Sequence, residues 1–354
     1  MRMRVLSVAF PFAPIDADPV GGAEQVLAQL DRHLVACGHE SVVIAQAGSR
    51  VQGHLIPLPT PAGEWNDVAC ARQRDRTRET LALALARAPF DLVHCHGLDF
   101  AAYLPPPGVP LLITLHLPLD WYAGDALRCS RPMTFLLPVS AEQCRGAPGG
   151  VRLLPPIANG VADNPFAGRV RKHEFALTLG RICPEKGFHD AVRAARKAGV
   201  GLQIAGELFP WPAHVRYQRE VLAPLLGERH CWIGAIHGLR KQWWMARARC
   251  LLIASRARET SSLVAMEALA AGTPVIAYRS GAIPELIENG VTGFLVDDAD
   301  EMADAIARVG TIDPQACLRA AHERCRLGRM LDAYLALYAH LIARARGIEA
   351  RRCG

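Results

Sequence analysis

Short apolar runs recur along this chain, and most are followed by a stretch with helical spacing. That alternation limits the fold more than any other feature. Residues 5–10 read as a buried strand. Gly21-Gly22 then opens a helix over 23–37, with Val26, Leu27, Leu30, Leu34 and Val35 on one face and Gly38 as its stop. Residues 41–45, 91–94, 111–115 and 136–139 read as further strands, and 68–88 as a long helix. Strands that are apolar throughout, alternating with helices, imply a parallel sheet covered on both faces. The pattern restarts after Pro155-Pro156 and a stretch at 159–165 that reads as a linker. Strands at 175–179, 202–205, 231–234, 250–254 and 274–277, with a helix at 190–198, build a second α/β half, and a helical stretch at 329–346 closes the chain. Two such halves imply a cleft between them, with ligands beyond the carboxyl ends of the strands.

Bulk properties narrow the function. The 354 residues suffice for two domains, and the 51% apolar share is that of a globular protein. Forty Lys and Arg against 34 Asp and Glu leave +6, which permits an anionic substrate or an anionic surface without demanding either. The arginines are scattered, with no aromatic-interleaved basic motif, so nucleic acid is not an expected partner. No run of about 18 uncharged apolar residues exists to span a membrane. The basic, apolar start is too short for a signal sequence and is broken by Pro11, so it reads as a first strand. Eleven cysteines, an odd number without a C-x-x-C pair, argue against a disulfide framework or a four-cysteine zinc site and for a reducing cytosol.

Three segments carry the chemistry. Gly21-Gly22-Ala23-Glu24 follows a strand and opens a helix, where unpaired N–H groups and the positive dipole end suit a phosphate. No G-x-G-x-x-G is present, which argues against a nicotinamide or flavin enzyme. Leu179-Gly-Arg-Ile-Cys-Pro-Glu-Lys-Gly187 leaves the first strand of the second half. There Arg181, as a fork, and Lys186, as a point charge, suit a diphosphate. In Glu259-Thr-Ser-Ser-Leu-Val-Ala-Met-Glu267, two carboxylates stand eight positions apart ahead of a Gly-Thr-Pro turn. Ser261 or Ser262 would cap the helix that follows, placing N–H groups near Glu259. Glu267 falls within that helix among Leu263, Ala270 and Ala271, where a carboxylate needs a partner, such as the vicinal hydroxyls of a ribose.

Together these segments resemble the retaining glycosyltransferases of family four, also called glycosyltransferase group 1. The likeness also takes in Asn159-Gly-Val161 and Ser280-Gly-Ala-Ile-Pro-Glu-Leu-Ile-Glu-Asn-Gly-Val-Thr-Gly-Phe294, and so runs over nearly the whole chain. It implies an α/β GT-B fold, two facing Rossmann-like domains with a cleft between them. Residues 1–160 would be the acceptor domain, with the helix at 329–346 packing back towards it, and 161–328 the donor domain.

The resemblance also implies roles. Arg181 and Lys186 match the pair that holds the donor diphosphate, Glu267 the grip on the donor ribose, and Glu259 the carboxylate near the reacting centre. Backbone around Ser262, Leu263 and Val264 would approach the phosphates. Ile236 matches the segment beside the nucleobase, Lys241 would reach the donor from the next helix, and His116 matches a histidine facing the sugar. Gly21 and Gly22 match the family's glycine loop. The family usually has Gly-Phe-Gly where this chain has Thr260-Ser261-Ser262, a departure that bears on donor-sugar geometry.

The implied function is a cytoplasmic hexosyltransferase of a polysaccharide-biosynthesis kind. It would move a sugar from a nucleoside diphosphate sugar to a hydroxyl of a glycan, lipid-linked or small-molecule acceptor. The nucleotide sugar is a co-substrate, so no cofactor is expected. No metal is expected either, since Arg181, Lys186 and helix N–H groups would carry the leaving charge. Asp16-Ala-Asp18 and Asp298-Ala-Asp300 look like metal-binding D-x-D pairs but sit in loops, and His94-Cys-His96 has zinc-type donors without further ligands near in sequence. His96 is a candidate acceptor contact, and Trp243-Trp244 reads as core. Arg72, Arg74, Arg76 and Arg78 read as a solvated face, with docking on the anionic inner membrane face as the functional alternative. The rival readings are a nucleotide-sugar epimerase on the same fold and a non-catalytic nucleotide-sugar-binding protein.

Overall fold

The computed structural model describes residues 2–16, 19, 21–60 and 66–352, with side chains up to residue 347. It divides into two units, Met1–Ile157 with Arg329–Gly354, and Ala158–Gly328.

The first unit holds a six-stranded parallel sheet: β1 (Arg4–Val8), β2 (Glu40–Gln46), β3 (His54–Leu58), β4 (Leu92–Cys95), β5 (Leu111–Leu115) and β6 (Thr134–Pro138). The strands lie in the order β3-β2-β1-β4-β5-β6. Every residue of β4 and β5 is buried, as expected of strands covered on both faces. The covering helices are α1 (Gly22–Ala36), α2 (Asp67–Arg87) and α3 (Ala141–Arg145). Val26, Leu27, Leu30 and Leu34 form the buried stripe of α1.

The second unit repeats the plan with β7 (Phe175–Leu179), β8 (Gly201–Ala205), β9 (His230–Trp232), β10 (Cys250–Ile253), β11 (Val275–Tyr278) and β12 (Gly293–Val296). Their order is β12-β11-β10-β7-β8-β9, which is the first sheet's order when counted from β7. Its helices are α4 (Phe188–Lys197), α5 (Pro212–Tyr217), α6 (Gly238–Arg247), α7 (Leu263–Ala270), α8 (Ile283–Leu286), α9 (Ala299–Arg308) and α10 (Pro314–Arg324). Phe188, Ala191, Val192 and Ala195 give α4 a buried face at helical spacing. The last helix, α11 (Leu327–Arg352), returns to the first unit, where Tyr338 reaches His94 and Arg346 reaches Asp91.

Two strands escape the apolar-run reading, β3 and β12, and both are sheet edges. β3 contains Pro57, which an edge strand tolerates because it needs fewer ladder hydrogen bonds. β12 starts with Gly293, whose Cα is pressed against the backbone of Val275. The stretch at 159–165, expected as a linker, is anchored within the second unit. Val161 N–H donates to the Cys325 carbonyl at 2.8 Å, and Leu327 N–H to the Val161 carbonyl at 3.1 Å. Among the described residues no helix is long and apolar enough to cross a membrane.

Candidate functional site

In a sheet of this order the connections diverge between the first and fourth strands, and ligands sit beyond the carboxyl ends there. In the second unit those strands are β7 and β10. The loop after β7 tightens into a 3-10 turn at Pro184–Lys186 and passes into α4 through Gly187. Gly187 has φ 62°, and a Cβ there would collide with the Ala254 carbonyl, so only glycine lets the two loops meet. Arg256 N–H ties them further by donating to the Glu185 carbonyl at 2.7 Å.

That contact brings Lys186 to Glu259, with Nζ 2.7 Å from Oε1. Glu259 is held from its other side by Gly281, at φ 53°, whose Cα is packed on the Glu259 backbone. Ala282 N–H donates to the Glu259 carbonyl at 2.6 Å. Burial pushes the Glu259 carboxyl up, but the Lys186 charge and hydrogen bond, the Ser255 hydroxyl and the Arg181 charge together hold it below its ordinary value. It is therefore an anion at neutral pH. Arg181 itself is exposed at the mouth of the same loop.

A second ion pair lies on the neighbouring helices. Ser262 is the cap of α7 and accepts from Ala265 N–H, while Leu263 is buried and Val264 packs half-buried against the core. Glu267 stands in the second turn, with Oε1 2.9 Å from Lys241 Nζ of α6. The sequence placed Glu267 in a packed environment; its side chain is 21% exposed and pairs with Lys241. Ile236 is buried beyond β9. Thus Lys186, Glu259, Lys241, Glu267 and the Ser262 cap are all organised around α7 and the strand ends before it. One contributor, Ser255, was missed in the sequence. Asn159, noted there only as part of the family likeness, donates its amide to Ser261 Oγ at 3.1 Å, and its Oδ1 is buried without a hydrogen-bond partner. A buried polar residue adjoining the substituted Thr-Ser-Ser segment is a contact that no local pattern encodes.

The first unit assembles a chain of histidines at the ends of β4 and β5. His116 Nε2 lies 3.0 Å from His96 Nδ1, and His96 Nε2 lies 3.1 Å from His94 Nδ1. His94 completes the chain with the Tyr338 hydroxyl at 2.7 Å and Thr114 Oγ1 at 2.8 Å. Burial drives all three imidazoles down, His116 to about 3, and neighbouring histidines depress His94 and His96 further. They are neutral at pH 7, so each ring offers one N–H and one lone pair. The sequence signalled His94 and His96 on one side of a strand. It did not signal the link to His116 or the tyrosines of α11.

The remaining candidates separate. Gly21 caps α1 without a side-chain hydrogen bond, Gly22 is its first residue, and the Glu24 carboxylate curls over Gly21 where a Cβ would collide. Asp298 is the cap of α9, accepting from Asp300 and Glu301 N–H, and Asp300 pairs with Lys197 at 2.6 Å. That pair is helix-capping chemistry. Of Asp16-Ala-Asp18, the last two residues lie outside the described residues. On α2, Arg74 pairs with Asp99 and Arg78 with Asp75, while Arg72 and Arg76 are exposed. Trp244 packs on the core beside Phe175, and Trp243 is covered by Arg247 with its guanidinium 4.1 Å from the ring centre.

Comparison with known proteins bears on what this arrangement does. The family model for glycosyl transferases group 1 matches residues 163–320, and that for glycosyltransferase family 4 matches residues 20–141. A glycogen synthase of Mycobacterium tuberculosis (strain H37Rv) is 27% identical over 385 residues, covering 92% of this chain and 89% of that protein. A 2-deoxystreptamine N-acetyl-D-glucosaminyltransferase of Streptomyces fradiae is 25% identical over 347 residues, 82% of each. Among solved structures, Anabaena HepE in complex with UDP and glucose superposes with a TM-score of 0.73 at 20% identity, covering 96% of this chain and all of that one.

Proposed function

We propose, on the premise that this chain belongs to the group 1, family 4 glycosyltransferases and has their GT-B fold, that it is a retaining hexosyltransferase. It would transfer a sugar from a nucleoside diphosphate sugar to a hydroxyl of a glycan, lipid or small-molecule acceptor. The observation that carries the reading is the pairing of Lys186 with Glu259 and of Lys241 with Glu267 around α7. Each pair holds a cation and an anion whose charges offset one another. An arriving diphosphate competes for the lysines, and the sugar and ribose hydroxyls compete for the carboxylates. Its relatives favour a hexose, since one is a glycogen synthase and another an N-acetyl-D-glucosaminyltransferase. HepE was solved with UDP-glucose, which favours a uridine donor as the first to test.

In this reading Arg181 and Lys186 hold the diphosphate and stabilise the charge that develops as it leaves. N–H groups at the start of α7, near Ser262, Leu263 and Val264, add to that field. Glu267 takes the ribose with Lys241 beside it, Ile236 borders the base, and Glu259 holds the transferred sugar. The acceptor oxygen attacks the anomeric carbon on the face the diphosphate leaves, and the leaving phosphate takes the acceptor proton. His116, neutral and backed by His96, is a hydrogen-bonding group of the first unit, and the family resemblance assigns it to the sugar.

The test begins with thermal-shift screening against UDP, GDP, ADP, dTDP and CDP sugars. A donor at 100 times its Kd stabilises its unit by about 2.7 kcal/mol. Transfer is then followed with the winning donor, and the product's anomeric configuration is read by NMR. A retained configuration, with a donor KM raised by Arg181→Ala, supports the proposal. Epimerised donor without acceptor, or an inverted product, overturns it. Donor binding with neither transfer nor hydrolysis favours a non-catalytic binding protein.

A further inference from the structure

We propose that Cys183, Glu185 and His214 form a binding site for a soft divalent cation of the zinc class, on the loop that carries Arg181 and Lys186. The three residues come from two pieces of local structure. Cys183 caps the 3-10 turn, Glu185 lies within it, and His214 stands on α5. One ligand atom from each lies within 4.8 Å of the others. A tetrahedral zinc site, with bonds of about 2.0–2.3 Å, needs its ligand atoms about 3.5 Å apart. The closure required is small, and the Glu185 carboxylate already meets the Cys183 thiol.

The donor chemistry matches. A thiolate, a carboxylate and a neutral imidazole are a zinc-type set, and their two negative charges balance a divalent cation. That neutrality matters beside Arg181, whose charge is felt at all three residues. A second observation points the same way. His214 Nδ1 is buried and has no hydrogen-bond partner, so the ring presents a nitrogen that nothing in the protein satisfies. The Cys183 thiol already donates to the Glu185 carboxylate. On binding, that proton leaves to solvent and the sulfur–metal bond forms in its place. Three protein ligands leave the fourth position to water.

The site adjoins the diphosphate loop, but no transfer step needs it. Its consequence is local: the metal ties the turn from Cys183 to Lys186 to α5. The inference stands on these three residues whether or not the chain transfers a sugar.

Cobalt(II) titration of the chelator-stripped full-length chain, without nucleotide, tests it. One equivalent is expected to bind with near-ultraviolet thiolate-to-cobalt charge transfer and to be displaced by one equivalent of zinc. C183S is expected to lose the band. Glu185→Gln and His214→Ala are expected to keep it with affinity weakened about tenfold or more. Because Glu185 is exposed, Glu185→Gln leaves the fold undisturbed and decides the matter even if C183S is unstable. The proposal is overturned if no band forms, or if band and affinity are unchanged in Glu185→Gln and His214→Ala. It is equally overturned if the band vanishes on replacing Cys37, which lies 3.7 Å from the His33 ring in the first unit.

Discussion

The Lys186–Glu259 pair allows a quantitative test. Its atoms are 2.7 Å apart, with side-chain exposures of 30% and 11%. Exposed pairs couple by about 0.2–1 kcal/mol. Breaking a fully buried pair costs about 3–5 kcal/mol. The geometry lies between these limits, so a coupling energy of about 2 kcal/mol at pH 7 is expected from a cycle of Lys186→Met, Glu259→Gln and the double variant. The cycle cancels each substitution's effect on packing. Urea unfolding monitored on the second unit supplies the free energies, since two units need not unfold together. The pH dependence has a definite sign. Glu259 is depressed in the fold, chiefly by Lys186 acting against burial. Its stabilisation is therefore complete above the unfolded carboxylate value and is lost as pH falls through the folded value. The coupling should therefore shrink as pH falls through the depressed folded value of Glu259. A coupling under about 0.5 kcal/mol at pH 7, or one that is equal at pH 7 and at acid pH, would refute the reasoning.

Gly281→Ala forces a Cβ into the Glu259 backbone at a positive φ, so the second unit should lose at least about 1–3 kcal/mol and donor affinity should fall with it; unchanged melting would contradict this. His116 titrates at about 3 in the fold against an ordinary 6.5, so the unfolded chain takes up a proton that the folded one refuses, and stability declines as pH falls through that window. His116→Asn should flatten the decline by up to about 1.4 kcal/mol per pH unit, read from unfolding free energies between about pH 5.5 and 4. Ser262→Ala removes the cap of α7 and should cost about 1 kcal/mol, with Ser262→Asp restoring most of it.

Much of this molecule is legible before folding. The strands at 111–115 and 175–179 are found at their exact bounds, because continuous apolar runs of that length have few other uses in a covered sheet. The edge strands β3 and β12 are not, since Pro57 and Gly293 blur a pattern that central strands keep clean. In the site, Arg181, Lys186, Glu259 and Glu267 stand out by charge type and position relative to strand ends. Their pairings do not. Lys186 meets Glu259 across 73 positions and Lys241 meets Glu267 across 26. Nor does the histidine chain, which ends on Tyr338 some 244 positions from His94.

The sequence by itself determined the architecture: apolar strands alternating with amphipathic helices, twice over, leave few stable alternatives to two covered parallel sheets. It also determined which loops carry charge, because loops at strand ends are named by the strands before them. Only the tertiary structure decided which charges neutralise one another. It pressed Gly187 onto Ala254 and Gly281 onto Glu259, and so set a lysine against a carboxylate whose pKa burial alone would have raised. The physical reason is range. Periodicity is set by neighbours a few residues apart, whereas the state of a buried ionisable group is set by whatever the fold brings within a few ångströms of it.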